Sequence, residues 1–191
     1  MPKALKSSAK AKSDDLFAAV APAFGRLLEE PSEDWRVSAA RACRVLVDAA
    51  PAAADLVRRF EQAASDRSLD ALRECYASTF ELSPVCVPYV SVHLFGDESF
   101  KRAGLMGGFA DAYRRAGFDP GSELPDHVAT ILTFVPCMSL DEQRDLVECV
   151  LRPAVDRMAQ ALFGSRNPYR HLLDALRGVL ASLAQPETVH A

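Results

Sequence analysis

The chain has 191 residues, 49% of them apolar and 25% charged, and carries a formal net charge of −4. That length suits one domain whose core needs neither disulfides nor a structural metal, and the composition is globular rather than disordered. The acidic balance argues against a broad nucleic-acid surface and leaves room only for a local basic patch.

The first residues, MPKALKSSAKAKSDD, carry Lys3, Lys6, Lys10 and Lys12 with no apolar run behind them. They read as a tail and not as a secretory leader. The expected organisation is a tail over 1–13, an all-helical domain over 14–184 and a second tail over 185–191. No uninterrupted apolar run is long enough to span a membrane. The cysteines at 43, 75, 86, 137 and 149 are odd in number and form no CxxC pair. They read as reduced thiols of a cytoplasmic protein, serving as small buried hydrophobes.

Helical periodicity dominates the rest of the chain. Helices are expected at about 14–30, 34–49 and 51–64, the first open to a kink at Pro22 and the second lined by Trp35, Ala39, Ala42 and Leu46. Ser68 is a good N-cap for the stripe Leu69, Leu72, Tyr76 and Phe80. The segment VCVPYVSVHLF (85–95) is β-rich in composition but broken by Pro88. A short buried helix is the expectation there, since proline spoils a central strand. Phe100, Ala103, Met106, Phe109 and Tyr113 form another stripe, with Gly117 as its C-cap. Pro153 interrupts a stripe running from Leu140 to Leu162, which predicts a kink or two consecutive helices. Asn167-Pro168 starts a last helix. The fold class is all-α, a single-domain bundle of roughly eight to ten helices.

Chemistry-bearing patterns are sparse. The histidines at 93, 127, 171 and 190 form no HExxH, and no zinc-type cysteine pair, EF-hand loop, nucleophile elbow or phosphate loop occurs. The densest polar cluster is Glu123-Leu124-Pro125-Asp126-His127, placed where a buried helix should begin. Pro125 suits a first helical turn, and Asp126 would there meet the positive end of the helix dipole. The same residues suit a rim that binds a partner peptide. A small helical hydrolase using Asp126 and His127 is the weaker alternative, because adjacent helical residues point apart. A nucleic-acid binder would rest on the four N-terminal lysines alone.

From Tyr76 to Val135 the sequence resembles the NarJ-type nitrate reductase assembly chaperones, within the wider TorD-like family of redox-enzyme maturation proteins. The matching pieces are Tyr76-x-x-Thr79-Phe80-Glu81, Pro88-Tyr89-x-Ser91, His93-Leu94-Phe95-Gly96 and Glu123 to His127. The resemblance implies an all-helical TorD-like fold, no catalytic activity and a cytoplasmic location. It implies binding to the N-terminal region of the respiratory nitrate reductase catalytic (alpha) subunit, held for molybdenum cofactor insertion and membrane assembly. No cofactor is bound stably, no nucleic acid is bound and no membrane insertion is implied, while molybdenum cofactor biosynthesis proteins are further conceivable partners. Another molybdoenzyme (dimethyl sulfoxide, selenate or chlorate reductase) is the alternative client.

Carried over to this chain, the partner-peptide residues are Tyr89, His93, Glu123, Asp126 and His127. Glu123 and Asp126 would pair with basic residues of the partner, whose segment would fold as an amphipathic helix in an apolar groove. Tyr76 and Phe80 also lie in the motif, but their spacing suits core packing, and His93 could be a satisfied interior histidine. Two departures from the family pattern stand out: Thr133 in place of an acid, and the glycine-rich stretch from Gly104 to Ala110.

Overall fold

The computed structural model describes residues 16–183, so both expected tails lie outside the described residues. Among the described residues every regular element is helical, and the one extended pairing is an isolated antiparallel bridge between Tyr89 and His127. The helices are α1 (16–27), α2 (Trp35–Ala49), α3 (Pro51–Ser65), α4 (Leu69–Phe80), α5 (Val90–Phe95), α6 (Phe100–Ala116), α7 (Val128–Phe134), α8 (Leu140–Leu146), α9 (Arg152–Ala161) and α10 (Tyr169–Leu183). A 3-10 turn (Val135–Cys137) follows α7, and a π-helical turn (Val147–Leu151) joins α8 to α9.

The caps follow the local chemistry. Ser68 Oγ accepts the Ala71 N–H at 3.2 Å, and Asn167 Oδ1 accepts the Tyr169 N–H at 3.0 Å. Ser139 and Glu142 form a reciprocal capping box on α8. Gly117 ends α6 at φ 65°, a left-handed conformation that costs a Cβ-free residue little. Pro153 has no N–H to donate and its ring would press on the carbonyl of Cys149 in a regular helix. The π turn immediately before it relieves that conflict, so the Leu140–Leu162 stripe becomes two consecutive helices. Pro22, by contrast, sits inside α1 without ending it.

The core is one contiguous apolar cluster reaching from Phe17 to Leu180. α10 packs on α3 and α9, α2 packs on α3, and α5 packs on α9 and α6. An aromatic chain runs through it: Trp35, Phe60, Tyr169, Tyr76 and Phe80 touch in sequence at centroid distances of 5.1–5.9 Å. Tyr76 and Phe80 are thus core residues, and Tyr76 also donates to the Leu28 carbonyl at 3.3 Å.

At Gly25, α1 crosses α7 at backbone contact. A Cβ there would lie 2.5 Å from Thr133 Oγ1 and 2.8 Å from the Ala129 carbonyl oxygen. The hydroxyl of Thr133 is turned back onto that same carbonyl at 2.9 Å, so the position fits a small back-bonded side chain against α1. Gly25→Ala should therefore lower stability by about 1–3 kcal/mol, the usual overpacking cost, despite alanine's better helix propensity. Urea denaturation at constant slope checks it, and an unchanged midpoint would mean that α1 does not approach α7 this closely.

Three expectations need correction. The segment 85–95 is helical only from Val90; residues 84–89 are extended or bent, with Tyr89 at φ −93°, ψ 114°. Prolines at 84 and 88 push their preceding residues away from helical dihedrals, and the Tyr89–His127 bridge captures the backbone instead. The α6 stripe is not a buried stripe: Phe109 and Tyr113 are buried, whereas Phe100 is 96% exposed. The cysteines are not uniformly interior either. Cys86 is buried, and burial pushes its thiol up to about 12, but Cys137 and Cys149 are exposed.

Candidate functional site

The Glu123–His127 stretch does not begin a helix at Pro125. It forms a turn, in which the His127 N–H donates to the Leu124 carbonyl at 3.0 Å, and α7 starts only at Val128. Two backbone bonds tie this turn to the strand-like residues before α5. The Val90 N–H donates to the Asp126 carbonyl at 3.0 Å and the Val128 N–H to the Pro88 carbonyl at 2.9 Å. Tyr113 of α6 closes the turn from the other side, its hydroxyl donating to the Pro125 carbonyl at 2.7 Å. Two sequence-distant motifs, Pro88-Tyr89 and Asp126-His127, are thereby brought together.

Within this junction the five candidate residues divide. Tyr89 is half-buried, stands edge-on to the His127 ring at 5.5 Å and donates to Glu123 Oε2 at 3.3 Å. Burial first, and then the Glu123 carboxylate, push its phenol up and keep it a donor. Glu123 itself is exposed. These two form an accessible polar corner. Asp126 does not belong to a rim: it is fully buried, and its Oδ2 accepts from both the N–H and the Oγ–H of Ser91. Arg102 Nε donates to Ser91 Oγ at 2.9 Å and its Nη1 pairs with Asp97 at 2.6 Å. The carboxylate of Asp126 thus anchors a network that locks α5 and α6 onto the turn.

His127 is 3% exposed and caps α7, its Nδ1 accepting the Ala129 N–H at 3.3 Å. Accepting there requires the neutral ring, and burial holds its pKa below the ordinary value of 6.5. So the histidine gains from the helix start as a cap, which the placement of the helix at Pro125 had hidden. His93 Nε2–H donates to the Val87 carbonyl at 2.7 Å, and burial lowers its pKa as well. It is a half-buried, satisfied histidine that pins the extended segment. Asp126 bonds to Ser91 while His127 bonds to its own helix, so no bond in the structure joins the two as a base and its orienter.

These histidines make stability depend on pH. Burial lowers the folded pKa of both rings below the 6.5 at which the unfolded chain takes up protons. Stability is therefore complete above about pH 6.5 and falls as the pH drops below it, because there the unfolded state binds more protons. His127→Asn keeps a cap acceptor without the titration. Its urea midpoint should fall less than that of the wild type between pH 7.5 and 5.5, and equal slopes would remove His127 from the effect.

A second feature was not legible as a site in the sequence. α6 forms one wall of an open groove of about 360 Å³. Gly104, Leu105, Gly108, Phe109 and Ala112 line that wall, Phe134 and Met138 the floor, and Glu142, Asp145, Leu146 and Cys149 the facing wall on α8 and the π turn. The last four recur at i, i+3, i+4 and i+7, one face of a helix. None of Tyr89, His93, Glu123, Asp126 or His127 lines the groove. The glycine-rich stretch from Gly104 to Ala110 was its one trace in the sequence.

Among the described residues no group of histidine, cysteine or acidic side chains is placed to hold a metal ion, and no helix is long and apolar enough to cross a membrane. A comparison with curated proteins finds no match. The comparison with protein families does: residues 46–175 match the family described as nitrate reductase delta subunit. That span contains the whole Tyr89–His127 junction and every residue of the groove. With most of its length matched and an all-helical fold to go with it, the chain belongs to the nitrate reductase delta subunit family, the NarJ-type chaperones of TorD-like redox-enzyme maturation.

Proposed function

We propose that this chain is a cytoplasmic chaperone that receives the N-terminal segment of the catalytic subunit of a respiratory nitrate reductase in the α6–α8 groove. It holds that subunit for molybdenum cofactor insertion and membrane assembly. The cofactor is cargo of the client, and the chaperone keeps none. The observation that carries this reading is the groove itself, an apolar trough with carboxylates on one wall.

Its shape and charge favour one class of occupant, an amphipathic helix with basic residues beside its apolar face. Phe109, Phe134 and Leu146 supply buried apolar surface for leucine-like side chains. Asp145 and Glu142 offer charge to lysine or arginine. Gly104 and Gly108 leave open space above α6, where a Cβ would meet nothing within 4 Å, so a docked helix can approach the backbone closely. A segment that orders only on binding loses entropy as it docks, which keeps affinity moderate and release possible. The Tyr89–Glu123 corner is then a separate polar contact, and Asp126, His127 and His93 build the scaffold that holds it.

The test is recovery of the client. Tagged chain expressed in its native host under anaerobic nitrate respiration should co-purify with a nitrate reductase catalytic subunit, identified by mass spectrometry. Trimming that subunit's N-terminus should abolish capture. Recovery of another molybdoenzyme would keep the class and change the client, whereas no molybdoenzyme at all, with the client demonstrably expressed, would sink the proposal.

A further inference from the structure

Phe100 is the most exposed of the large apolar side chains among the described residues. It opens α6 and lies one turn before Gly104 and two before Gly108, on the side of the helix that those groove residues share. Lys101 heads the neighbouring row, one turn before Leu105 and two before Phe109, which also line the groove. An apolar knob and a cation thus stand at one end of an apolar trough, on the same surface as the trough. Across it, Glu142 is engaged in the capping box with Ser139, which leaves Asp145 as the free carboxylate of that wall. Lys101 and Asp145 are both exposed, and neither has an ion-pair partner among the described residues.

We infer that two copies of this chain dock on each other through this surface, Phe100 of each entering the α6–α8 groove of the other, and that a client must separate them. A knob and a groove on one surface match themselves about a two-fold axis, which closes the pair and prevents open filaments. The spacing suits that symmetry. Phe100 lies about 12 Å along the helix from Gly108, so a two-fold axis at Gly104 sets two α6 helices antiparallel with each Phe100 over the other's Gly108. A Cβ at Gly104 or Gly108 would meet nothing within 4 Å, so the second helix can approach the backbone there. The knob then meets Leu105, Phe109, Phe134 and Leu146 of the other copy, with the ring contacts that aromatic side chains favour. Lys101, beside the knob, is placed to pair with Asp145 of the other copy. Two phenylalanines and the walls they cover amount to about 600–1,000 Å², below the roughly 1,200 Å² at which stable interfaces begin, so the pair is weak and forms at high concentration. Weakness suits the role. The pair keeps two apolar troughs away from water and from unrelated proteins, and a client helix with more contacts opens it.

The client's part in this inference rests on the groove reading above, and the experiments separate the two. Sedimentation equilibrium of the full chain from about 5 to 500 µM should show a monomer–dimer equilibrium. Phe100→Ser should abolish it without disturbing the fold, because the ring is exposed in the free chain. Lys101→Glu and Asp145→Lys should each weaken it in low salt. Mixed in equal amounts, these two variants should pair with each other about three- to tenfold more tightly than either pairs with itself, because in the mixed pair every reversed charge faces an opposite one, and high salt should erase the gain. A chain that is monomeric throughout, or a dimer untouched by Phe100→Ser, would overturn the inference and leave the groove to the client alone. No gain on mixing would overturn the two-fold arrangement. A second readout uses a synthetic amphipathic peptide with leucines at i, i+3, i+4 and i+7 and lysines beside them. Its apparent affinity should fall as the concentration of the wild-type chain rises and stay constant for Phe100→Ser. The same behaviour in both chains would overturn the competition. Binding to neither would sink the groove as a client site, and displacement with it, while sedimentation still decides the dimer.

Discussion

Asp126→Ala is expected to cost about 2–4 kcal/mol of stability, because it strips the acceptor from a buried network rather than a contact from a surface. The carboxylate is fully buried and receives both the Ser91 N–H and its hydroxyl, and Ser91 in turn receives Arg102 Nε. Without it a buried N–H loses its partner, and the link between the Glu123–His127 turn and α5 is cut. Asp126→Asn keeps an oxygen in the same place to accept from Ser91 and should lose roughly half as much. Urea denaturation of both variants gives the readout. A midpoint unmoved by Asp126→Ala, with weakened partner capture, would return Asp126 to the binding surface and refute the scaffold role.

Leu105→Glu should reduce client-peptide affinity by about ten- to hundredfold, the range for losing a central apolar contact at an interface. Leu105 is half-buried on the groove wall, where it also packs against the core, so the substitution places a carboxylate where an apolar face must dock, and thermal denaturation checks that the variant stays folded. Gly104→Ala and Gly108→Ala sharpen the test, because here stability and binding should move in opposite directions. Each added methyl meets nothing within 4 Å in the free chain. Each should therefore stabilise α6 by about 0.5–1 kcal/mol through better helix propensity, while holding a docked helix away from the backbone. Calorimetric titration with the peptide found by client trimming measures one effect and thermal denaturation the other. Undiminished binding in Leu105→Glu and Gly108→Ala together would exclude the groove as the site.

The two features differ in the kind of information that specifies them. Helices, caps and breaks are properties of a few consecutive residues: Ser68, Gly117 and Asn167-Pro168 act where they stand, and Pro153 forces a local adjustment whatever surrounds it. The sequence by itself therefore determined the all-helical class, most element positions and, through four short motifs in order, the family. Two of its motifs, far apart in the chain, do meet, since the Tyr89 backbone bridges to His127 and the Tyr89 hydroxyl reaches Glu123. What each of them does was decided by tertiary contacts. A carboxylate in ELPDH looks the same on a rim as in the interior; Ser91, thirty-five positions away, makes Asp126 a buried anchor. An extended stretch replaced the first half of the 85–95 helix because its backbone found His127 and Asp126 instead of itself. The groove was the least legible of all, because an apolar stripe reads alike whether or not another helix covers it. α6 packs through Phe109 and Tyr113 and leaves its glycine-rich half uncovered, and an unfilled space between helices is written in no single segment of the chain.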